Sequence, residues 1–231
     1  VTEAFDKLFA TIETKTDEDG NVAMFSRSGN VNSKAFKDWF GDSEVVDENG
    51  EPMVMYRGLT QEYQDGANPS IIWTSPDPEY ASEYTNYQDG GNVLPLYVKA
   101  DNPVDLGFRS SLTEVRFTDV LDRVERAIND SFRAGRITRE QGIALNDRVA
   151  DLADSATVEF KRVFEWWTDN PVVTEILSDA GYDSITTNEG RGDNVKTYGV
   201  FNPTQIKSAT GNQGTFDPNN PDIRFRRSDV D

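Results

Sequence analysis

At 231 residues and with a net charge of −18, the chain is long enough for one large domain or two small ones, and its 36% hydrophobic and 11% aromatic residues are ample for a packed core. That charge sets the whole-molecule field against polyanions, which excludes a phosphate backbone as the main binding force but leaves room for a local basic pocket holding a small anion. With no cysteine and no histidine, disulfides, thiolate nucleophiles, Ser–His and Cys–His catalysis and imidazole metal ligation are excluded, and any reaction falls to Arg, Lys, Asp, Glu, Tyr, Ser, Thr or Gln.

Residues 1–31 begin with an apolar-spaced piece, Phe5, Leu8, Phe9 and Ile12, and run on through TDEDGN, which reads as the end of an element followed by a linker. Residue 1 is valine, which fits a piece of a longer polypeptide. No run approaches the roughly 18 apolar residues of a membrane span, so a soluble protein without a membrane partner is expected.

The stretch SKAFKDWFG predicts a short helix: Ser33 caps it, Phe36, Trp39 and Phe40 share a face, and Gly41 ends it. Residues 45–46 and 53–56 then read as a hairpin around Asn49-Gly50, and the apolar run MVMYRG stops at Arg57 and Gly58. After a loop over 59–70 come the apolar tripeptide 71–73 and a helix start at Asp77-Pro78, a capping side chain before a residue whose missing N–H costs nothing at the first position. Tyr80 and Tyr84 fall four apart on one face of that helix, and Tyr80 reads as packing. A strand is predicted within 92–99, where Pro95 points to an edge or a bulge.

Residues 111–167 change character. Ser111 with Glu114, and Thr138 with Gln141, match the capping box, and two apolar stripes at helical spacing, 117–132 and 145–167, predict a long helical hairpin turning near Ala134-Gly135. It reads as a buttress inserted between strands. Asn170-Pro171 opens a last helix ending at Gly181; strands are expected at 183–187 and 195–201, with the polar loop 188–194, containing Glu189, between them. Strands broken by helices make the body α+β.

Three stretches stand out together: MYRG at 55–58, IIWTSPDPEYASEY at 71–84 and YGVFNPTQIKSATGN at 198–212. Their order and texture resemble the ADP-ribosyltransferase fold, most closely the ADP-ribosyltransferase-like domains of phage polyvalent proteins, over about residues 33–226. The resemblance implies a split β-sandwich over 32–215 with the helical insertion at about 111–167, an N-terminal segment and linker at 1–31, and a linker-like tail at 216–231. It implies NAD as co-substrate, without a metal, bound in a cleft between two small sheets. Arg57 takes the first-motif position as a cation for ribose or diphosphate, and Gly58 presents bare backbone to the nicotinamide carboxamide. Trp73 and Tyr84 match the aromatics that enclose the nicotinamide ring, and Thr74 and Ser75 the turn that braces the site.

Gln205 matches the catalytic position after the last strand, where the best-understood members carry Glu. A neutral amide can hydrogen-bond a ribose hydroxyl but does not stabilise positive charge as a carboxylate does. Pro203, two residues earlier, breaks the Glu/Gln-x-Glu pattern of arginine-modifying toxins, and Glu189 is a second candidate carboxylate if its loop folds in. The expected function is mono-ADP-ribosyl transfer to a host macromolecule, a protein rather than a nucleic acid, by a phage or mobile-element effector. Such an effector would act in the host cytoplasm, and delivery with a phage particle as part of a longer polypeptide is one route to it. The competing readings are a catalytically silent binding module and an acidic nucleic-acid mimic.

Overall fold

The computed structural model describes residues 31–59, 71–85, 92–109, 117–155, 170–189, 195–210, 212 and 216–220, together with a short antiparallel pair, β1 (Lys15–Thr16) and β2 (Val22–Ala23). The described body is built on two sheets. The first has three strands in the order β3 (Met55–Leu59), β5 (Asn92–Val98), β9 (Ile206–Ser208), all antiparallel. The second has four, in the order β4 (Ile72–Thr74), β8 (Val195–Val200), β7 (Ser184–Glu189), β6 (Pro103–Arg109), with β6 and β7 parallel. Parallel neighbours need a crossover, and the helical segment lies in it.

Apolar alternation along the strands stacks these sheets into four layers. Met55, Leu96, Val98 and Ile206 of the first sheet meet Ile72, Tyr198 and Val200 of the second in a shared core. The outer face of the first sheet carries Tyr97, against which α1 (Lys34–Phe40) lays Phe36, Trp39 and Phe40. Ser33 caps α1 by accepting from the Phe36 N–H at 3.1 Å, as its position predicts. Phe216 is buried in the same aromatic cluster, with its ring edge-on to Phe36 at 4.9 Å, so the chain assigned to the tail begins inside the body.

On the far side, α3 (Phe117–Arg133), α4 (Arg139–Ser155) and α5 (Pro171–Asp179) cover the second sheet, with Val120, Leu121, Val124 and Ile128 packing toward Ile185 and Leu106. The Thr138–Gln141 capping box forms in both directions, at 2.8 and 3.2 Å. Residues 111–116 and 156–169, with the Ser111–Glu114 box and the end of the second apolar stripe, lie outside the described residues. Phe132, counted in the first stripe, is exposed, and the neighbouring Ser131 is buried with its hydroxyl on the Ala180 carbonyl. The helix ends there, and that hydrogen bond sets the rotation of its last turn.

Two further expectations are corrected. The hairpin over 45–56 shrinks to a single bridge, Val46 with Pro52, because Met55–Leu59 takes β5 as its partner instead. The Asp47 carboxylate accepts from the N–H groups of Asn49 and Glu51, so the turn itself forms. Pro95 lies in the central strand of its sheet, not at an edge. Its carbonyl accepts from Ala209 N–H at 3.0 Å, so its nitrogen faces the β9 side, where paired residues run only from Leu96 to Val98. The missing donor therefore costs the β3 ladder nothing.

Candidate active site

A backbone bridge stitches the two sheets together. Tyr56 and Ser75 exchange backbone hydrogen bonds of 2.6 and 2.8 Å, bringing the end of β3 against the end of β4. Arg57 and Trp73 are thereby neighbours, and the guanidinium donates to the Trp73 carbonyl at 3.0 Å. Beside them α2 (Pro78–Ser82) starts from a double brace: Ser75 Oγ accepts from Asp77 N–H at 3.0 Å, and the Asp77 carboxylate accepts from Glu79 and Tyr80 N–H at 2.8 and 3.2 Å. Thr74 donates its hydroxyl to the Tyr198 carbonyl at 3.1 Å, fixing β4 to β8.

Two glycines permit this closeness. A Cβ on Gly58 would stand 2.2 Å from the Ala81 carbonyl oxygen, so the absent side chain makes room for α2 against β3. A helix packed on a strand is thus a structural reason for that glycine, beside the close approach of a ligand that the family resemblance implies. Gly199 lies opposite Trp73 in the ladder, and a Cβ there would come within 3.0 Å of the indole. The ring lies over bare backbone.

Register then places the acid. In the pairing of β7 with β8, Thr187 lies opposite Thr197 and Glu189 opposite Val195, and since alternate residues share a face, Glu189, Thr187, Thr197 and Trp73 all project from the same side of the sheet. Glu189 closes the strand; the sheet ladder, and not a folded-in loop, holds it. Its carboxylate is buried, accepting from Tyr80 Oη–H at 2.9 Å through one oxygen and from Thr187 Oγ1–H at 2.9 Å through the other. Tyr80 and Tyr84 are joined through their hydroxyls at 2.7 Å, their rings edge-on at 5.4 Å, and Thr187 and Thr197 through theirs at 2.8 Å.

These groups surround a cavity of about 220 Å³ lined by Arg57, Gly58, Trp73, Tyr84 and Glu189, with Tyr56, Thr74, Ser75, Tyr80, Ala81 and Thr197 completing its wall. Among its described lining residues Arg57 is the only cation and Glu189 the only carboxylate. Burial pushes the Glu189 carboxyl above its usual range, against the hydrogen bonds from Tyr80, Thr187 and Thr197 that favour the anion. Burial likewise raises Tyr80 and Tyr84, so both phenols stay neutral at physiological pH.

Gln205 lies elsewhere. It follows β8 in a short 3-10 turn (Pro203–Gln205), where its Nε2 donates to the carbonyls of Lys99 and Asp183 at 2.9 and 3.1 Å and its Oε1 accepts from Asn202 N–H at 2.9 Å. The amide is consumed in capping that turn and tying it to the sheets. The cavity thus gathers Arg57, Gly58, Trp73, Thr74, Ser75, Tyr84 and Glu189, and leaves Gln205 outside its lining. Sequence reading took Tyr80 for packing and passed over Thr187 and Thr197; the signal for the threonines was the i, i+2 spacing of Thr187 and Glu189 on one strand.

A family model described as ADP-ribosyltransferase in polyvalent proteins matches residues 47–216, from the turn before β3 through the last described aromatic of the core. The chain belongs to this family. No curated protein and no solved structure gave a match. The α+β architecture of two packed sheets with a helical layer is thus that of an ADP-ribosyltransferase, and the matched span holds every lining residue of the cavity. Among the described residues no cluster of His, Cys, Asp or Glu could hold a metal ion, and no helix is long and apolar enough to cross a membrane.

Proposed function

We propose that this ADP-ribosyltransferase is a mono-ADP-ribosyltransferase that takes ADP-ribose from NAD, and that Glu189 supplies the carboxylate of the reaction. The observation that carries this reading is the pairing of one buried carboxylate with one guanidinium across a cavity walled by Trp73, Tyr80 and Tyr84. Breaking the nicotinamide–ribose bond builds positive charge on the sugar, and a carboxylate in a poorly solvated site stabilises such charge far better than one in water. The same burial that raises the Glu189 pKa is what makes its anion effective.

Arg57 presents a fork of donors suited to paired phosphate oxygens, and its bond to the Trp73 carbonyl holds it at the rim of the cavity. Trp73 and Tyr84 offer aromatic surface to the nicotinamide ring. A cavity of about 220 Å³ is smaller than the roughly 300–1,000 Å³ that encloses a whole drug-sized ligand, so it accommodates the nicotinamide ribose end and leaves the adenosine end outside. The acceptor, on this reading, is a host protein; the charge of −18 opposes docking on nucleic acid. The effector role in a phage or mobile element belongs to the same proposal. The silent-module alternative drew on the neutral Gln205, and with Glu189 in the cavity that motive falls away.

The test is incubation with NAD labelled in its adenylate moiety and with host lysate, following transferred label and released nicotinamide for the wild type, Arg57→Ala, Glu189→Gln and Gln205→Ala. Loss of transfer in the first two variants and its retention in the third supports the assignment. If the wild type neither binds NAD nor releases nicotinamide, the reading is wrong.

A further inference from the structure

Glu189 is the centre of a chain of five hydroxyl and carboxyl groups that reaches from the buried wall of the cavity to the protein surface. On one side it meets Thr187, which meets Thr197; on the other it meets Tyr80, which meets Tyr84, with every link between 2.7 and 2.9 Å. The two branches end differently. Thr187 and Thr197 are 1% and 2% exposed, whereas Tyr84 is 49% exposed. Only the tyrosine branch leads out.

Each hydroxyl carries one proton, so the direction of the chain follows from the charge of its centre. With Glu189 ionised, Tyr80 spends its proton on the carboxylate, and Tyr84 must donate to Tyr80. With Glu189 protonated the order reverses: the carboxyl donates to Tyr80, Tyr80 to Tyr84, and Tyr84 to water. Both directions use the same oxygens at the same distances, and neither needs an ionised phenol.

Resting on the function proposed above, we propose that Tyr80 and Tyr84 form the proton exit of the transfer reaction. The bond from ribose C1′ to the nicotinamide nitrogen breaks with its electron pair going to nicotinamide, which leaves neutral. The acceptor heteroatom forms the new bond to C1′ and releases one proton, which Glu189 takes. That proton leaves by reversal of the chain: Glu189 gives it to the Tyr80 oxygen, Tyr80 passes its own to Tyr84, and Tyr84 passes its own to solvent. The other ionisable groups lining the cavity are Tyr56 and Arg57 on β3. Arg57 is a permanent cation and offers no base to the proton, and burial raises the Tyr56 phenol, so it stays neutral.

Tyr84→Phe is the decisive variant, because it keeps the aromatic ring and removes only the outermost hydroxyl, without touching a hydrogen bond to Glu189. Label transfer is measured at saturating NAD in dilute and in concentrated small-molecule buffer, with NAD binding followed by quenching of intrinsic fluorescence. The expected result is kcat lowered about tenfold with NAD affinity unchanged, a modest share of the effect of a full acid–base group, and recovered as the buffer concentration rises, because a small carrier replaces the missing hydroxyl. Tyr80→Phe should show the same recovery with buffer, together with a shift of the acidic limb to higher pH from its lost hydrogen bond to Glu189. A Tyr84→Phe enzyme with wild-type kcat overturns the proposal, and so does a loss of rate in either variant that buffer does not relieve, which marks a positioning role. If the wild type itself transfers no label, the underlying function fails, which the wild-type lane reports separately.

Discussion

Glu189 and Gln205 close neighbouring stretches of the second sheet's surroundings, one at the end of β7 and one in the turn after β8, and the company they keep separates them. Every polar atom of Gln205 is held by backbone, from Lys99, Asp183 and Asn202. Both oxygens of Glu189 are held by side-chain hydroxyls. Backbone partners are fixed, and an amide bound to three of them cannot turn toward a substrate without leaving buried carbonyls unpaired. Hydroxyl partners rotate, and can donate or accept as the charge of the carboxylate changes. A residue tied to backbone holds the fold; a residue tied to hydroxyls is available for chemistry.

The widest gap between the two should appear in activity. Glu189→Gln is expected to lower label transfer by roughly 10²–10⁴-fold while leaving NAD binding measurable, the range removed with an acid–base or charge-stabilising group. Gln205→Ala should transfer label at close to the wild-type rate once folded; a collapse of transfer there, with Glu189→Gln active, would reverse the comparison.

Stability should show the opposite ranking. Gly58→Ala forces a Cβ against the Ala81 carbonyl and is expected to cost about 1–3 kcal/mol in urea unfolding, as overpacking does. Gln205→Ala should cost about 1 kcal/mol or somewhat more, since three backbone groups lose a partner but the turn is only partly buried and water can replace some of it. Glu189→Gln should be neutral or stabilising near neutral pH.

The pH dependence of that last variant has a definite sign. Burial raises the Glu189 carboxyl above its unfolded value, so the folded chain binds more protons than the unfolded one in the window between the two values, and its stability falls as pH rises through that window. Removing the ionisable group removes the slope, so the advantage of Glu189→Gln over wild type in thermal melts should grow with pH and then level off. The smallest expected effect belongs to Thr187→Val. It deletes a hydrogen bond that favours the anion, so the acidic limb of the transfer rate should move to higher pH; a limb that stays in place would show that Thr187 does not tune the carboxylate.

Local signals in the chain were sufficient for much of this molecule. The caps at Ser33, Asp77 and Asn170, the stripe of Val120, Leu121, Val124 and Ile128, and the order of MYRG, the tryptophan turn and the last strand determined the helices, the α+β class and the family, because each depends on residues close in sequence. Arg57, Trp73 and Tyr84 were legible as a candidate site because each stands in a short contiguous motif, MYRG or the tryptophan turn with the helix after it, and the family resemblance joined those motifs. What only the tertiary structure decided was which acid meets them. Glu189 is carried to the cavity by strand register, a pairing of β7 with β8 that no local pattern specifies, and Tyr80 changes from a packing residue to a carboxylate partner because the Tyr56–Ser75 bridge swings α2 over the end of β7. Gln205 matched a motif position, yet besides the local Asn202 N–H its amide is claimed by the carbonyls of Lys99 and Asp183, which reach it only once the sheets have packed.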